Sequence, residues 1–125
     1  EDVDETGRST YVTEGQLRAL HRKVSNDSPP YAMLTPYHSF KKEDGLPLVP
    51  GEIAELRFGL HPTSVLIKEG HRLRIAIAGH DKDTFTRIPA EGVPTITVSR
   101  NKESPSYIDL PVILQSVDRI SGKGE

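Results

Sequence analysis

The chain has 125 residues, 34% of them hydrophobic, with 16 basic against 18 acidic side chains and no cysteine. That length fits at most one domain with a modest, mainly aliphatic core, because there are seven aromatics and no tryptophan. Disulfides, thiolate-bound zinc and thiol nucleophiles are excluded, no apolar run is long enough to span a membrane, and the scattered basic residues form no nucleic-acid patch. The first residues lack the basic-then-apolar pattern of a secretory signal, and a cytoplasmic chain is the expectation. Ten glycines and ten prolines suit a β fold with many turns better than a helical bundle.

In chain order, Glu1 to Gly7 reads as the end of one strand and a tight connection, with Asp4-Glu5-Thr6-Gly7 carrying the turn residues. Ser9 to Glu14 reads as the next strand, and Gly15 as a bulge or bend. The following piece, Gln16 to Arg22, is ambiguous. Leu17, Leu20, His21 and Val24 have helical spacing, whereas Leu17, Ala19 and His21 alternate as in a strand. Asn26 to Tyr37 is a polar, proline-bearing loop, long enough to require packing through Tyr31 and Leu34. His38 to Glu43 is a short strand candidate, with Asp44-Gly45 as a turn.

The clearest signals come next. Pro50-Gly51 makes a turn, and from Glu52 to Leu60 the side chains Ala54, Leu56, Phe58 and Leu60 alternate with Ile53, Glu55, Arg57 and Gly59. Lys68-Glu69-Gly70 makes another turn. From His71 to Ala78, His71, Leu73, Ile75 and Ile77 alternate with Arg72, Arg74, Ala76 and Ala78. Period two of this length predicts two strands with one buried face each. Leu56, Phe58, Leu73, Ile75 and Ile77 are therefore the expected core, and truncating Phe58 to alanine should cost about 3–5 kcal/mol. His80 to Gly92 is a charged loop, Val93 to Val98 and Tyr107 to Leu114 are two further strands, and a polar tail runs from Ser116.

No catalytic, cofactor-binding or metal-binding residue is assigned. The only Gly-x-Ser is Gly7-Arg8-Ser9, followed by Thr10 and Tyr11, so the glycine-flanked elbow that exposes a hydrolase serine is missing. Ser9, His71 and Asp109 are the residues on which a triad would have to be tested. His71, on an apolar face, reads as a hydrogen-bonded, half-buried residue, and Arg72 and Arg74 as cross-strand pairing residues. Asp2-Val3-Asp4-Glu5-Thr6-Gly7 partly fits a calcium loop, but position twelve is Thr13 where a bidentate acid is needed. A hairpin turn is the better reading. His80-Asp81-Lys82-Asp83 has no second ligand cluster, and Asn26-Asp27-Ser28 is a formal glycosylation acceptor.

The order of these motifs resembles the C-terminal domain of the cocaine-esterase and X-Pro dipeptidyl-peptidase group of serine hydrolases. The resemblance rests on Asp2-Val3-Asp4 with Gly7, on Val12-Thr13-Glu14-Gly15-Gln16-Leu17-Arg18-Ala19 with Arg22, and on Pro47-Leu48-Val49-Pro50-Gly51-Glu52. Leu60-His61-Pro62-Thr63-Ser64, Gly70-His71-Arg72-Leu73-Arg74-Ile75 and the late segment from Ile88-Pro89 to Pro111-Val112-Ile113 complete it. It implies an all-β, galactose-binding-like jelly-roll sandwich of residues 1–125, incomplete at its N-terminus, and it favours a strand for Gln16 to Arg22. The implied function is non-catalytic: the sandwich buttresses an α/β-hydrolase catalytic domain of the same protein and helps wall its substrate cleft. The chain is then expected to be stable only beside that partner or as a homo-oligomer. The alternative is an independent carbohydrate- or ligand-binding sandwich, which the lack of tryptophan disfavours.

Overall fold

The computed structural model describes residues 1–113. The chain divides into two compact units, Glu1–Ile77 and a second one beginning at Ala78. Regular structure among the described residues lies in the first unit: three two-residue strands, β1 (Asp2–Val3), β2 (Ser9–Thr10) and β3 (Arg72–Leu73), and two 3-10 turns, Ala19–His21 and Lys42–Asp44. The strands form an antiparallel sheet in the order β2-β1-β3.

The β1–β2 connection is the expected hairpin. Asp2 pairs with Thr10 and Val3 with Ser9. Asp4 folds the turn: its Oδ1 accepts from the Thr6 amide at 2.9 Å, the Thr6 hydroxyl at 2.6 Å and the Arg8 amide at 2.9 Å. Gly7 closes it at φ 87°, a left-handed conformation that side chains with a Cβ resist. β1 also pairs with β3, Asp2 with Leu73 and Val3 with Arg72, and one step further Glu1 and Arg74 exchange both backbone bonds at 2.9 Å. Val3, in the central strand of the sheet, is the one buried apolar residue among the described residues.

Both turns flanking the alternating segments form. Glu52 N donates to Val49 O at 3.1 Å across Pro50-Gly51, and His71 N donates to Lys68 O at 3.1 Å. Gly51 and Gly70 take φ of 83° and 81°, as glycine in the third position of a type II turn must.

Several expected strands are corrected. Glu52 to Leu60 is not paired into a sheet, and of His71 to Ala78 only Arg72–Leu73 is. Past Thr10 the second strand ends. Residues 19–21 coil into a 3-10 turn, against the strand expected for Gln16 to Arg22. The proposed strand at His38 to Glu43 is replaced by Phe40 at φ 56° and the turn Lys42–Asp44. In the second unit Val93 to Val98 and the described part of Tyr107 to Leu114 are likewise unpaired, and Leu114 and the tail from Ser116 lie outside the described residues. The physical reason is common to all. Period two fixes which side chains share a face, but a strand exists only where a second segment supplies the ladder partners.

The core expectation is corrected for the same reason. Phe58 is 43% exposed, Ile75 61% and Ile77 64%, and Leu56 and Leu73 are exposed as well. The expected phase is not borne out in the first segment either: Leu56, Phe58 and Leu60 are exposed, each less than Ile53 at 73%, while Gly59 on the opposite face is half-buried. Tyr31 and Leu34 are also exposed, so the loop from Asn26 to Tyr37 is not anchored by them. It is closed at its base by Ser25 N donating to Tyr37 O at 2.8 Å.

Two glycines record close approaches, Gly15 to backbone and Gly59 to a side chain. A Cβ on Gly15 would lie 2.3 Å from Gly59 O, and one on Gly59 would lie 2.1 Å from Thr35 Cγ2. The 13–15 segment runs beside 59–61 here, with His61 N donating to Glu14 O at 2.8 Å and the Thr13 hydroxyl to His61 O at 2.7 Å. In the second unit, Asp81 organises the charged loop by accepting from Asp83 N at 2.9 Å through Oδ1 and from Phe85 N at 3.1 Å through its carbonyl.

Candidate functional site

Three side-chain clusters stand out in the first unit. The first joins the hairpin to β3. His71 Nδ1 lies 2.9 Å from both carboxylate oxygens of Asp2, and both side chains are mostly buried. This is the hydrogen-bonded, half-buried histidine expected from its place on the apolar face. Arg74 reaches across β1 to pair with the Glu1 carboxylate at 2.5 Å and donates to Ser9 Oγ at 2.8 Å. The Arg74 guanidinium holds the Glu1 carboxyl below the usual range, and Glu1 in turn raises Arg74. Arg74 is thus a cross-strand pairing residue, whereas Arg72 is exposed.

An Asp–His couple is two thirds of a hydrolytic triad, so its third member matters. Ser9 Oγ is engaged by Arg74, and neither Gly7 nor Tyr11 makes it an elbow serine. Asp109 belongs to the second unit, where it is exposed. The cluster ties the strands together through Asp2, His71, Arg74 and Ser9.

The second cluster surrounds the turn Lys42–Asp44. Lys23 pairs with Asp44 Oδ1, and the Ser39 hydroxyl donates to Oδ2 at 2.5 Å. Bonding to Lys23, with help from Ser39, holds the Asp44 carboxyl below its ordinary range, and Asp44 raises the Lys23 ammonium. Arg22 donates to the carbonyls of Ala19 (3.1 Å), Leu46 and Pro47 (3.3 Å), which fastens the first 3-10 turn to the start of the Pro47–Glu52 motif.

The third is an open cleft of about 360 Å³ lined chiefly by Leu17, Tyr31, Met33, Tyr37, Phe40 and Phe58. His38 lies against it and is only 6% exposed. Its Nδ1 is 3.0 Å from Lys23 O and its Nε2 2.8 Å from Arg57 O, so neither nitrogen is open to a substrate or metal. Nothing in the spacing of the sequence singled out His38. Its role depends on two carbonyls 15 and 19 residues away. The His80-Asp81-Lys82-Asp83 stretch forms the turn described above, and among the described residues no three His, Asp or Glu side chains gather as metal ligands.

Set beside known proteins, residues 1–109 match the family of X-Pro dipeptidyl-peptidase C-terminal non-catalytic domains. The chain belongs to that family. It is 55% identical over 113 residues, 90% of its length, to proteins named as serine esterases in Mycobacterium bovis and Mycobacterium tuberculosis. It spans 18% of the length of each of these relatives. A protein of Streptomyces avermitilis named as an Xaa-Pro dipeptidyl-peptidase is 35% identical over 60 residues, 48% of this chain and 9% of that protein. No solved structure matches the chain at the same stringency. Among the described residues, no helix is long and apolar enough to cross a membrane.

Proposed function

We propose that this chain is the non-catalytic jelly-roll domain of a serine hydrolase, an acyl esterase or X-Pro dipeptidyl-peptidase, in which it buttresses an α/β-hydrolase catalytic domain and walls part of its substrate cleft. The observation that carries the reading is the family match over residues 1–109, which runs through both compact units and supports treating them as one domain. The 55% identity to proteins named as serine esterases, of which the chain spans 18%, favours the esterase branch. The side chains agree. The histidines engaged in the first unit serve structure, and the apolar faces of the alternating segments remain exposed, as surfaces that a larger body would cover.

The test is to read and express the full reading frame that encodes the chain. A Gly-x-Ser-x-Gly serine in the same polypeptide is expected, with ester or X-Pro amide turnover that is lost on replacing that serine and kept on replacing Ser9. A reading frame that yields only a sugar-binding sandwich without turnover would overturn the proposal.

A further inference from the structure

His38 is a buried imidazole whose two nitrogens both face backbone carbonyl oxygens, Lys23 O at 3.0 Å and Arg57 O at 2.8 Å. A carbonyl can only accept, and a neutral imidazole carries a single N–H. One of the two contacts then sets a ring lone pair against an oxygen lone pair. Only the imidazolium donates at both ends. We propose that His38 is a protonation-dependent tie between the Lys23 and Arg57 segments, one that fastens the base of the Asn26–Tyr37 loop and the edge of the aromatic cleft.

The placement explains what the tie would control. Tyr37, next to His38, accepts the bond from Ser25 N that closes the loop, and Pro30, Tyr31, Met33, Thr35 and Pro36 of that loop line the cleft. Arg57 lies one residue before Phe58, which also lines it. With both bonds made, loop base and cleft edge are held through one ring. With one bond made, they are free to part.

The ionisable groups on the surrounding segments are otherwise engaged. Lys23 pairs with Asp44, which also takes the Ser39 hydroxyl. Arg22 serves the carbonyls of Ala19, Leu46 and Pro47. Arg57 has Glu55 at 4.0 Å on an exposed surface. Tyr37 is the neighbour in sequence, and His21 packs edge-on against Phe40 at 5.2 Å, with His38 at 6.1 Å from the same ring. His38 is thus the imidazole bonded to two carbonyls, and His21 is the natural control.

The sign follows from the donor count. The second bond exists only in the charged, folded form, so its contribution is present when the ring is protonated and is lost when it is neutral. In the full-length polypeptide with nitrogen-15-labelled histidines, between pH 8 and pH 5, both ring N–H groups of His38 should become visible and hydrogen-bonded at the acidic end. Ser25 amide exchange, corrected for its intrinsic rate, should slow about tenfold, the scale of one hydrogen bond from a charged donor. His38→Gln should abolish this pH dependence, and His21→Gln should leave it. Protection of Ser25 that is flat with pH, or a dependence that survives His38→Gln, would overturn the proposal. Should His38→Gln fail to fold, the ring spectrum of the unaltered protein decides: a single hydrogen-bonded N–H at pH 5 refutes the tie.

Discussion

Asp4 shows how much one side chain can fix. Its Oδ1 takes three donors within the hairpin turn, and bonding to the Thr6 hydroxyl, aided by the Thr6 and Arg8 amides, holds the carboxyl below its ordinary range. A depressed carboxyl contributes stability that is complete above its unfolded value and is lost as pH falls through its folded one. The Thr6 and Arg8 amides should therefore lose their hydrogen-bonded shifts on acidification below about pH 4, followed by two-dimensional NMR. Asp4→Asn, which keeps the oxygen, should lower the melting temperature less than Asp4→Ala. Glycines make the complementary point. A Cβ on Gly15 would meet a backbone oxygen, which cannot turn aside as a side chain can. Gly15→Ala should cost about 1–3 kcal/mol in denaturant unfolding, whereas Gly51→Ala, with open space around it but φ at 83°, should cost about 1 kcal/mol from the backbone alone.

Among elements, the hairpin and the segment Glu52 to Leu60 stand at opposite ends. The hairpin's partners are six and eight residues apart, so the turn chemistry of Asp4 and Gly7 suffices to pair them. The longer segment carries a stronger alternation, but no ladder partner meets it. With Phe58 43% exposed, Phe58→Ala in this chain should cost about 1–2 kcal/mol, well below the 3–5 kcal/mol of a fully buried ring. If a catalytic body covers that face, the same substitution should cost more in the full-length hydrolase, and comparing the two melts measures the difference.

For the whole molecule, the apolar exposure sets the behaviour. Val93 and Ile113 are almost entirely in solvent, and Ile75 and Ile77 are more than half so. A small domain has only a few kcal/mol in reserve, and open apolar strands invite association. The 125-residue chain by itself should self-associate in sedimentation and melt broadly. A monodisperse monomer with a sharp melt would show instead that it closes alone. The purified chain should also turn over no activated ester above background. Activity that survives purification and vanishes on replacing Ser9, His71 or Asp109 would contradict that.

The motif order, the hairpin at Asp4–Gly7, the turns at Pro50-Gly51 and Lys68-Glu69-Gly70, and the absence of a serine elbow were all legible in the sequence, because each rests on residues within a few positions of one another. His71 was legible as a partnered histidine, but not its partner, Asp2, 69 residues away. The tertiary structure decided which alternating segments find a ladder partner, that Gln16 to Arg22 contains a 3-10 turn, that Tyr31 and Leu34 stay exposed, and that His38 lies between two carbonyls. Those outcomes depend on contacts between distant segments. Periodicity specifies the faces a segment offers, and only the fold determines whether anything meets them.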